Sequence, residues 1–206
     1  MKLNRELLCV YGVTNNAPSI ESIEKAIKGG IKIVQLRMKN ASFDEFLSAA
    51  NKTKEVCKGK ALLIINDNVE IARLSGADGV HLGQDDMQMK DARNILGDKI
   101  IGISAHNTEE ALKAQQEGAD YIGCGAMFPT ESKGDVSPLS VEELTKICKA
   151  VEIPVVAIGG ITLANMKYLK NTGADGIAVS KGLFSGDAEV NAKAFTERWG
   201  NLCGKF

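Results

Sequence analysis

Short apolar runs recur along the chain, and polar segments with helix-like spacing separate them. Each run is nearly continuous in aliphatic side chains and rich in Val and Ile, which is typical of strands buried on both faces of a parallel sheet. The runs are Leu7–Thr14, Ile31–Leu36, Ala61–Ile65, Gly79–Leu82, Ile100–Ser104, Tyr121–Phe128, Val155–Ile158 and Gly176–Val179. The pattern therefore predicts eight parallel strands.

The segments between these runs carry the signals of helix starts and helix ends. Ser42, Asn107 and Ser140 each precede a Glu by three residues, which is the spacing of a capping box. A glycine just before a strand suits the left-handed conformation that ends a helix. The tripeptide Gly-Ala-Asp stands at three such places, residues 76–78, 118–120 and 173–175. Helices are therefore expected to alternate with the strands.

Strand–helix alternation repeated eight times predicts an α/β protein with a single-domain (β/α)8 TIM barrel over residues 1–206. No linker or break in composition divides the chain. A doubly wound open sheet is the alternative architecture. That fold would usually bind a nucleotide through G-x-G-x-x-G after the first strand, and residues 12–15, Gly-Val-Thr-Asn, do not form that motif.

Composition narrows the class of protein further. The net charge of −1 and the pI near 6.2 give no bulk attraction for nucleic acid or an anionic membrane. No apolar run is long enough to span a bilayer, and the first residues lack the apolar core of a secretory signal. The five cysteines are widely spaced without a C-x-x-C pair. We therefore expect a cytoplasmic, enzyme-sized domain without nucleic-acid or membrane partners; a homo-oligomer is compatible with the sequence but not indicated by it.

Acidic residues follow the third and fourth predicted strands. Asn66 and Asp67 come directly after one strand and Asp86 follows the next, and neighbouring strand ends of a barrel lie side by side. Carboxylates there could share a Mg²⁺ ion, which prefers hard oxygen ligands. The alternative is that Asp67, and Asp85 or Asp86, merely cap the helices that follow them.

Basic residues follow the second and sixth predicted strands. Gln35, Arg37 and Lys39 alternate, so on a strand their side chains would share one face. Lys133 lies in a long polar loop, residues 128–138, and loops of that length in a compact barrel are usually functional or mobile. Together they predict a cationic wall opposite the acidic cluster. The alternatives are ordinary surface charges and a disordered loop.

Two turns after the last two strands could bind phosphate. Gly159-Gly160 and Val179-Ser180 stand where barrels commonly build a phosphate site from loop N–H groups and a helix N-terminus. The alternative is a pair of tight turns that need positive φ. The two histidines, His81 and His106, are assigned no catalytic role, because a lone histidine in a strand is more often a hydrogen-bonded core residue.

These motifs, in this order from about Tyr11 to Ser180, resemble those of the thiamine-phosphate synthase (thiamine-phosphate pyrophosphorylase) family. The matching segments are residues 35–39, 65–67, 81–86, 104–106, 125–133, 157–161 and 177–180. The resemblance implies a transferase of thiamine biosynthesis. Such an enzyme couples hydroxymethylpyrimidine diphosphate with hydroxyethylthiazole phosphate, with Mg²⁺, and gives thiamine phosphate and pyrophosphate.

The resemblance also implies roles for individual residues. The metal ligands would be Asp67 and Asp86. The pyrimidine diphosphate would be held by Gln35, Arg37, Lys39, Asn66, Ser104 and Lys133, of which Arg37, Ser104 and Lys133 are the catalytic candidates. The thiazole phosphate would be held by Thr130, Glu131, Ser132, Gly159, Gly160, Val179 and Ser180. The implied mechanism is dissociative loss of pyrophosphate, which needs no strong general base.

Three other functions are weighed against this one. Thiazole tautomerases of the same barrel tend to carry a histidine near position 126, where this chain has Ala126. A non-catalytic ligand-binding barrel should have lost its ligands, yet both acidic motifs and Lys133 remain. A phosphosugar epimerase or decarboxylase needs an acid–base pair on opposite faces of its substrate, and the sequence has no convincing pair.

Overall fold

The computed structural model describes residues 3–15, 19–130 and 138–204, so the predicted site residues Glu131, Ser132 and Lys133 lie outside the described residues. Eight parallel strands close into a barrel in sequence order, with β8 pairing with β1, which confirms the predicted fold class. The strands are β1 (Val10–Val13), β2 (Ile33–Leu36), β3 (Leu62–Asn66), β4 (Gly79–Leu82), β5 (Ile100–Ala105), β6 (Tyr121–Cys124), β7 (Val155–Ile158) and β8 (Gly176–Val179).

Helices surround this barrel and complete the strand–helix alternation. They are α1 (Ile20–Lys28), α2 (Phe43–Cys57), α3 (Val69–Leu74), α4 (Met89–Leu96), α5 (Thr108–Gln116), α6 (Val141–Ala150), α7 (Lys181–Phe184) and α8 (Ala188–Cys203). A 3₁₀ helix, Met166–Leu169, takes the place of an α-helix after β7. Within the described ranges, no helix has the length and apolar character needed to cross a membrane.

Three of the strands are shorter than their predicted apolar runs, and the second of them, β2, begins two residues late at Ile33. Arg5–Leu8 forms a 3₁₀ helix, so the first strand begins at Val10. The sixth strand ends at Cys124 because the chain then turns across β7, where Met127 and Phe128 donate their N–H groups to the carbonyls of Ile158 and Gly159. This turn brings the loop after β6 onto the end of β7.

Ser42, Asn107 and Ser140 all act as N-caps, but only Ser42 forms the complete box, because the Glu110 carboxylate accepts the N–H of His106 and not that of Asn107. Ser42 forms a complete capping box with Glu45 at the start of α2. Ser140 accepts the N–H of Glu143, but the Glu143 carboxylate bonds the hydroxyl of Thr108, 2.9 Å away on α5. The side chain that would close a local box therefore joins the starts of two neighbouring helices.

The three Gly-Ala-Asp tripeptides share one structure at the amino ends of the strands. Their glycines all have positive φ, as predicted for a helix end. Their aspartates, which we call the amino-end aspartates, are Asp78, Asp120 and Asp175. Each accepts a backbone N–H from the preceding strand, donated by Leu63, Ile101 and Val155 respectively, at 2.7 to 2.9 Å. Each also pairs with a cation, Lys54, Arg93 or Arg5, at 2.6 to 2.8 Å.

The apolar side chains divide into an outer and an inner cluster. The outer cluster fills the layer between strands and helices and holds most of the buried aliphatic residues. The inner cluster lies inside the barrel and consists of Leu8, Tyr11, Val13, Ile33, Ile64, Tyr121, Val156 and Ala178. Two tyrosines are therefore buried in the interior, where each hydroxyl needs a hydrogen-bond partner.

Candidate active site

A cavity of about 580 Å³ opens at the carboxyl ends of the strands. This is the edge at which side chains from different parts of a parallel barrel converge. Among the residues predicted for the site, its lining includes Gln35, Arg37, Asn66, Ser104, Thr130, Gly159, Gly160 and Ser180. Lys39, Asp67, Asp86 and Val179 are not in this lining.

The end of β2 supplies the first wall of the cavity. Gln35 is buried, and its Nε2 donates to the Tyr11 hydroxyl at 3.1 Å. Arg37 is half-buried, and its backbone N–H donates to the Thr14 hydroxyl at 3.0 Å. The regular strand ends at Leu36, so the alternation that puts Gln35 and Arg37 in the cavity does not extend to Lys39, which is exposed.

The acidic residues after β3 and β4 do not cap the helices that follow. Asn68 is the N-cap of α3, and its side chain accepts the N–H of Ile71. Asp67 has a positive φ of 63° and donates its backbone N–H to the carbonyl of His81. The Asp86 carboxylate accepts the N–H of Gly83 at 2.6 Å, and α4 begins later, after Gln88. The capping alternative is therefore wrong for Asp67 and Asp86.

Asp67 and Asp86 face each other, and we call them the carboxyl-end pair. The pKa of Asp67 is raised to about 6, first by partial burial and then by the hydrogen-bonding contact and charge of Asp86, while Arg37 opposes this shift. A divalent cation between two such carboxylates would relieve their repulsion. Within the described residues, no three His, Cys, Asp or Glu side chains converge. Two carboxylates fit Mg²⁺, which usually takes its other ligands from phosphate and water.

A series of hydrogen bonds crosses the inside of the barrel and joins residues that line the cavity. The Tyr11 and Tyr121 hydroxyls are 2.8 Å apart, and the Tyr121 hydroxyl is 3.0 Å from His81 Nδ1. His81 Nε2 is 3.0 Å from the Ser104 hydroxyl, and Gln35 contacts the other end of the chain at Tyr11. Burial raises the pKa of both tyrosines, so both hydroxyls stay protonated.

Sequence reasoning missed the participation of Tyr11, Tyr121 and His81 in the cavity. His81 is buried and hydrogen-bonded, as expected of a core histidine, but it also lines the cavity. The available signal was the position of each residue inside a predicted barrel strand, since a buried Tyr or His in an apolar run must find a polar partner. The partners are 40 and 110 residues apart in sequence, which no local spacing reveals.

The turn after β7 forms the opposite wall of the cavity. Gly159 and Gly160 have φ of 102° and 62°, so both glycines are needed for the backbone conformation, as the tight-turn alternative stated. A Cβ at Gly160 would also lie 2.6 Å from the carbonyl oxygen of Pro129. Asn165 fixes the turn, because it donates to the Gly160 carbonyl at 2.8 Å and accepts the N–H of Thr162 at 2.7 Å.

The end of β8 lies beside this turn. The Ser180 hydroxyl donates to Asn15 at 2.9 Å, and both residues line the cavity together with Lys181, which was not among the predicted site residues. The Val179 side chain is buried in the outer cluster, so only its backbone could reach a ligand. The first N–H groups of a helix have no partner within it, and α7 starts here at Lys181.

Comparisons with known proteins find relatives that cover most of the chain. The chain is 49% identical over 183 residues to the thiamine-phosphate synthase of Methanobrevibacter smithii, covering 86% of this chain and 88% of that protein. It is 51% identical over 173 residues to the thiamine-phosphate synthase of Fusobacterium nucleatum, covering 83% and 84%. The structure of the thiamine phosphate pyrophosphorylase from Pyrococcus furiosus superposes with a TM-score of 0.89 at 36% identity, over 96% of this chain and 98% of that one.

The family comparison covers most of the chain as well. The sequence profile of the thiamine monophosphate synthase family matches residues 8–183, a range that includes all eight strands. Among the described residues that line the cavity, the matched range includes all except Ser185. The chain therefore belongs to the thiamine monophosphate synthase family.

Proposed function

We propose that this chain is a thiamine-phosphate synthase, a transferase that joins hydroxymethylpyrimidine diphosphate to hydroxyethylthiazole phosphate and releases pyrophosphate. Membership in the family supports the reaction. The observation that carries the proposal is a single cavity with two different polar walls. One wall has Gln35, Arg37 and Ser104, and the other has the Gly159-Gly160 turn with Ser180.

The first wall is assigned to the pyrimidine diphosphate. Gln35 is buried and has amide atoms that can pair with the edge of an aminopyrimidine ring. Arg37 supplies a half-buried cation for the diphosphate. Asn66 and Ser104 add neutral hydrogen-bonding groups from β3 and β5. Lys39 and Lys133 remain predictions for the same substrate from the sequence.

The second wall is assigned to the thiazole phosphate. A glycine turn allows backbone N–H groups to approach a phosphate closely, and Asn165 holds this turn in one conformation. Ser180 and Lys181 line the cavity beside it. A monophosphate bound here would place the thiazole ring toward the first wall. Thr130, Glu131 and Ser132 are proposed to complete this side.

The carboxyl-end pair is proposed to hold Mg²⁺. When bound, the ion would neutralise charge on the departing diphosphate. Asp67 and Asp86 suit this role because their side chains are in contact and offer only oxygen ligands, and above its pKa of about 6 Asp67 carries no proton that would compete with a metal ion.

The chain's own residues contribute orientation, charge and exclusion of water. Val13, Val156 and Ala178 give the cavity an apolar floor that limits water around the pyrimidine methylene. Arg37 stabilises negative charge that grows on the leaving group. The thiazole nitrogen then attacks the carbon from which pyrophosphate departs, so the two walls act by holding both reactants in line. No proton needs to be removed from either reactant at this step.

The test is an assay with the purified protein, both substrates and Mg²⁺, following pyrophosphate release and thiamine phosphate together. The proposal predicts equal amounts of the two products. Omitting the thiazole phosphate is the matched control and should reduce pyrophosphate release to background. Folded protein that binds both substrates without forming product would instead favour the ligand-binding barrel, and conversion of a thiazole tautomer would favour the tautomerase.

A further inference from the structure

The hydrogen-bond chain across the barrel, which we call the interior chain, joins the two polar groups of the first wall. It runs from Gln35 through Tyr11, Tyr121 and His81 to Ser104, with every contact between 2.8 and 3.1 Å. All five residues line the cavity, and Tyr11, Tyr121 and His81 are buried inside the barrel. The direction in which these hydrogen bonds are donated therefore decides whether Gln35 and Ser104 offer a donor or an acceptor to a substrate in the cavity.

With the Gln35 amide oriented as in the structure, the donors and acceptors of each group set the direction of the hydrogen bonds. Gln35 Nε2 can only donate, so the Tyr11 oxygen accepts from it. Tyr11 is 1% exposed, so its own hydrogen needs a buried acceptor. Within the described residues, the other polar group at the Tyr11 hydroxyl is Tyr121. Tyr11 therefore donates to Tyr121.

The same reasoning continues to the other end. The Tyr121 oxygen has accepted from Tyr11, so its hydrogen goes to His81 Nδ1, which must then be the unprotonated ring nitrogen. His81 is accordingly neutral with its hydrogen on Nε2, and that hydrogen is donated to Ser104. The Ser104 hydroxyl is left with its hydrogen available to the cavity.

The reverse direction would also satisfy every group of the chain, if the Gln35 amide were turned over. Tyr11 would then donate to Gln35, His81 would carry its hydrogen on Nδ1, and Ser104 would donate to His81. In that case Ser104 would present only lone pairs to the cavity. An anionic ligand needs donors, so a phosphorylated substrate favours the direction that starts at Gln35.

The barrel is shaped around the rings of the interior chain. A Cβ at Gly102 would lie 2.1 Å from the Tyr121 ring, and a Cβ at Gly123 would lie 2.9 Å from the His81 ring. Both glycines have ordinary φ, so the space and not the backbone conformation requires them. The glycines on β5 and β6 therefore leave the space that the rings of Tyr121 and His81 occupy.

We propose that Tyr11, Tyr121 and His81 are positioning residues, which make Ser104 a hydrogen-bond donor and leave the Gln35 carbonyl as an acceptor facing the substrate. The inference about the substrate rests on the proposed function. The direction of the bonds and the tautomer of His81 are properties of the protein alone. They can therefore be measured separately from activity.

The first measurement is the tautomer of His81 in the ¹⁵N-labelled, ligand-free protein near neutral pH, by long-range ¹H–¹⁵N correlation. The chain has two histidines, so the variant His106→Gln leaves the His81 signals alone in the spectrum. The proposal predicts a neutral ring with a protonated Nε2 and an unprotonated Nδ1. A ring protonated on Nδ1, or one that averages between the two forms, would overturn the proposed direction.

The second measurement uses tyrosine variants that remove one hydroxyl each. Tyr121→Phe removes the donor to His81, so the Nε2–H form should no longer be fixed. The KM for the pyrimidine diphosphate should rise about tenfold or more, with a smaller rise for the thiazole phosphate. Tyr11→Phe should raise the same KM but keep the His81 tautomer, because Tyr121 still donates. Tyr168→Phe, at a tyrosine that is 59% exposed, is the matched control.

These outcomes separate the two proposals. An unchanged tautomer and unchanged KM in folded Tyr121→Phe would overturn the positioning role. A wild-type protein with the predicted tautomer but no thiamine phosphate formation would overturn the proposed function and leave the direction of the interior chain standing. Circular dichroism of each variant shows whether the barrel remains folded.

Discussion

At the amino end of the barrel, three aspartates each accept a backbone N–H and pair with a cation, whereas at the carboxyl end Asp67 faces a second carboxylate, Asp86. The amino-end aspartates are part of the Gly-Ala-Asp tripeptides that connect a helix to the next strand. Their charges are satisfied within the fold. In the carboxyl-end pair, burial and the contact with Asp86 raise the pKa of Asp67, and the charge of Arg37 only partly opposes this shift. The same residue type therefore forms ion pairs at one end of the barrel and a pair of facing carboxylates at the other, which we propose as the metal site.

The largest effect expected from this difference is the loss of activity on metal removal. If the carboxyl-end pair holds Mg²⁺, chelation with EDTA should lower turnover by about a thousandfold, because a bound cation contributes several kcal/mol to stabilising the leaving group. The measurement is pyrophosphate release with both substrates present. Excess Mg²⁺ added back is the control and should restore the rate. Full turnover in the chelated assay would contradict the metal assignment.

Removing the charge of an amino-end aspartate should lower the free energy of unfolding and leave the activity of the folded protein unchanged. Asp120→Asn loses the ion pair with Arg93 and weakens the bond to the Ile101 N–H, each 2.8 Å in the structure. We expect the free energy of unfolding to fall by about 1–2 kcal/mol. Urea denaturation measures this loss, and kcat/KM per folded molecule should stay at the wild-type value. A large fall in kcat/KM would mean that the two ends are not independent.

Loosening the turn after β7 should separate the two substrates. Asn165→Ala removes the two bonds that hold the turn at Gly160 and Thr162. The KM for the thiazole phosphate should rise about tenfold, which corresponds to roughly 1.4 kcal/mol and lies within the net worth of the two lost hydrogen bonds. Gly160→Val is less informative, because its Cβ would clash with the Pro129 carbonyl.

The controls for this variant are the other substrate and an exposed asparagine. The KM for the pyrimidine diphosphate should change far less than that for the thiazole phosphate. Asn94→Ala, at an exposed position of α4, should leave both KM values unchanged. If Asn165→Ala raises both KM values equally, the variant has loosened the barrel as a whole, and the assignment of two separate walls is withdrawn.

The smallest expected effect is the pH dependence of the free energy of unfolding of the metal-free protein. The pKa of Asp67 is raised from 3.8 to about 6 on folding, so the folded state binds more protons than the unfolded state between these values. Stability should therefore fall as pH rises from about 4 to about 6. The loss should be at most about 1 kcal/mol, because Asp67 keeps access to solvent. Urea denaturation in EDTA of wild type and Asp67→Asn, compared at both ends of this range, isolates the contribution; identical pH dependence would contradict it.

The sequence predicted the barrel well because strands buried on both faces carry an uninterrupted apolar signal. The fourth, seventh and eighth strands begin and end at the predicted residues, 79–82, 155–158 and 176–179. The boundaries that differ have local and non-local causes, and the first strand begins late because Arg5–Leu8 forms a 3₁₀ helix. The sixth strand ends early because its loop pairs with the end of β7, and a 3₁₀ helix follows β7 although a full βα unit was expected.

The position of the site followed from the barrel topology, since polar residues after the strands of a parallel barrel must meet at one edge. Gln35, Arg37, Ser104 and Ser180 accordingly line one cavity, while their roles toward substrates stay predictions. Lys39 lies outside the lining because the strand ends before it. The interior chain could not be predicted, because its contacts cross the barrel between residues far apart in sequence.

The most direct test of the difference between the two ends compares Asp67→Asn with Asp120→Asn under the same conditions near pH 7.5. Two quantities are measured for each variant: kcat/KM per folded molecule and the free energy of unfolding without metal. Asp67→Asn should lose about 10²- to 10³-fold in kcat/KM while its stability is unchanged or slightly higher. The account is contradicted if Asp67→Asn keeps its activity and loses as much stability as is expected for Asp120→Asn.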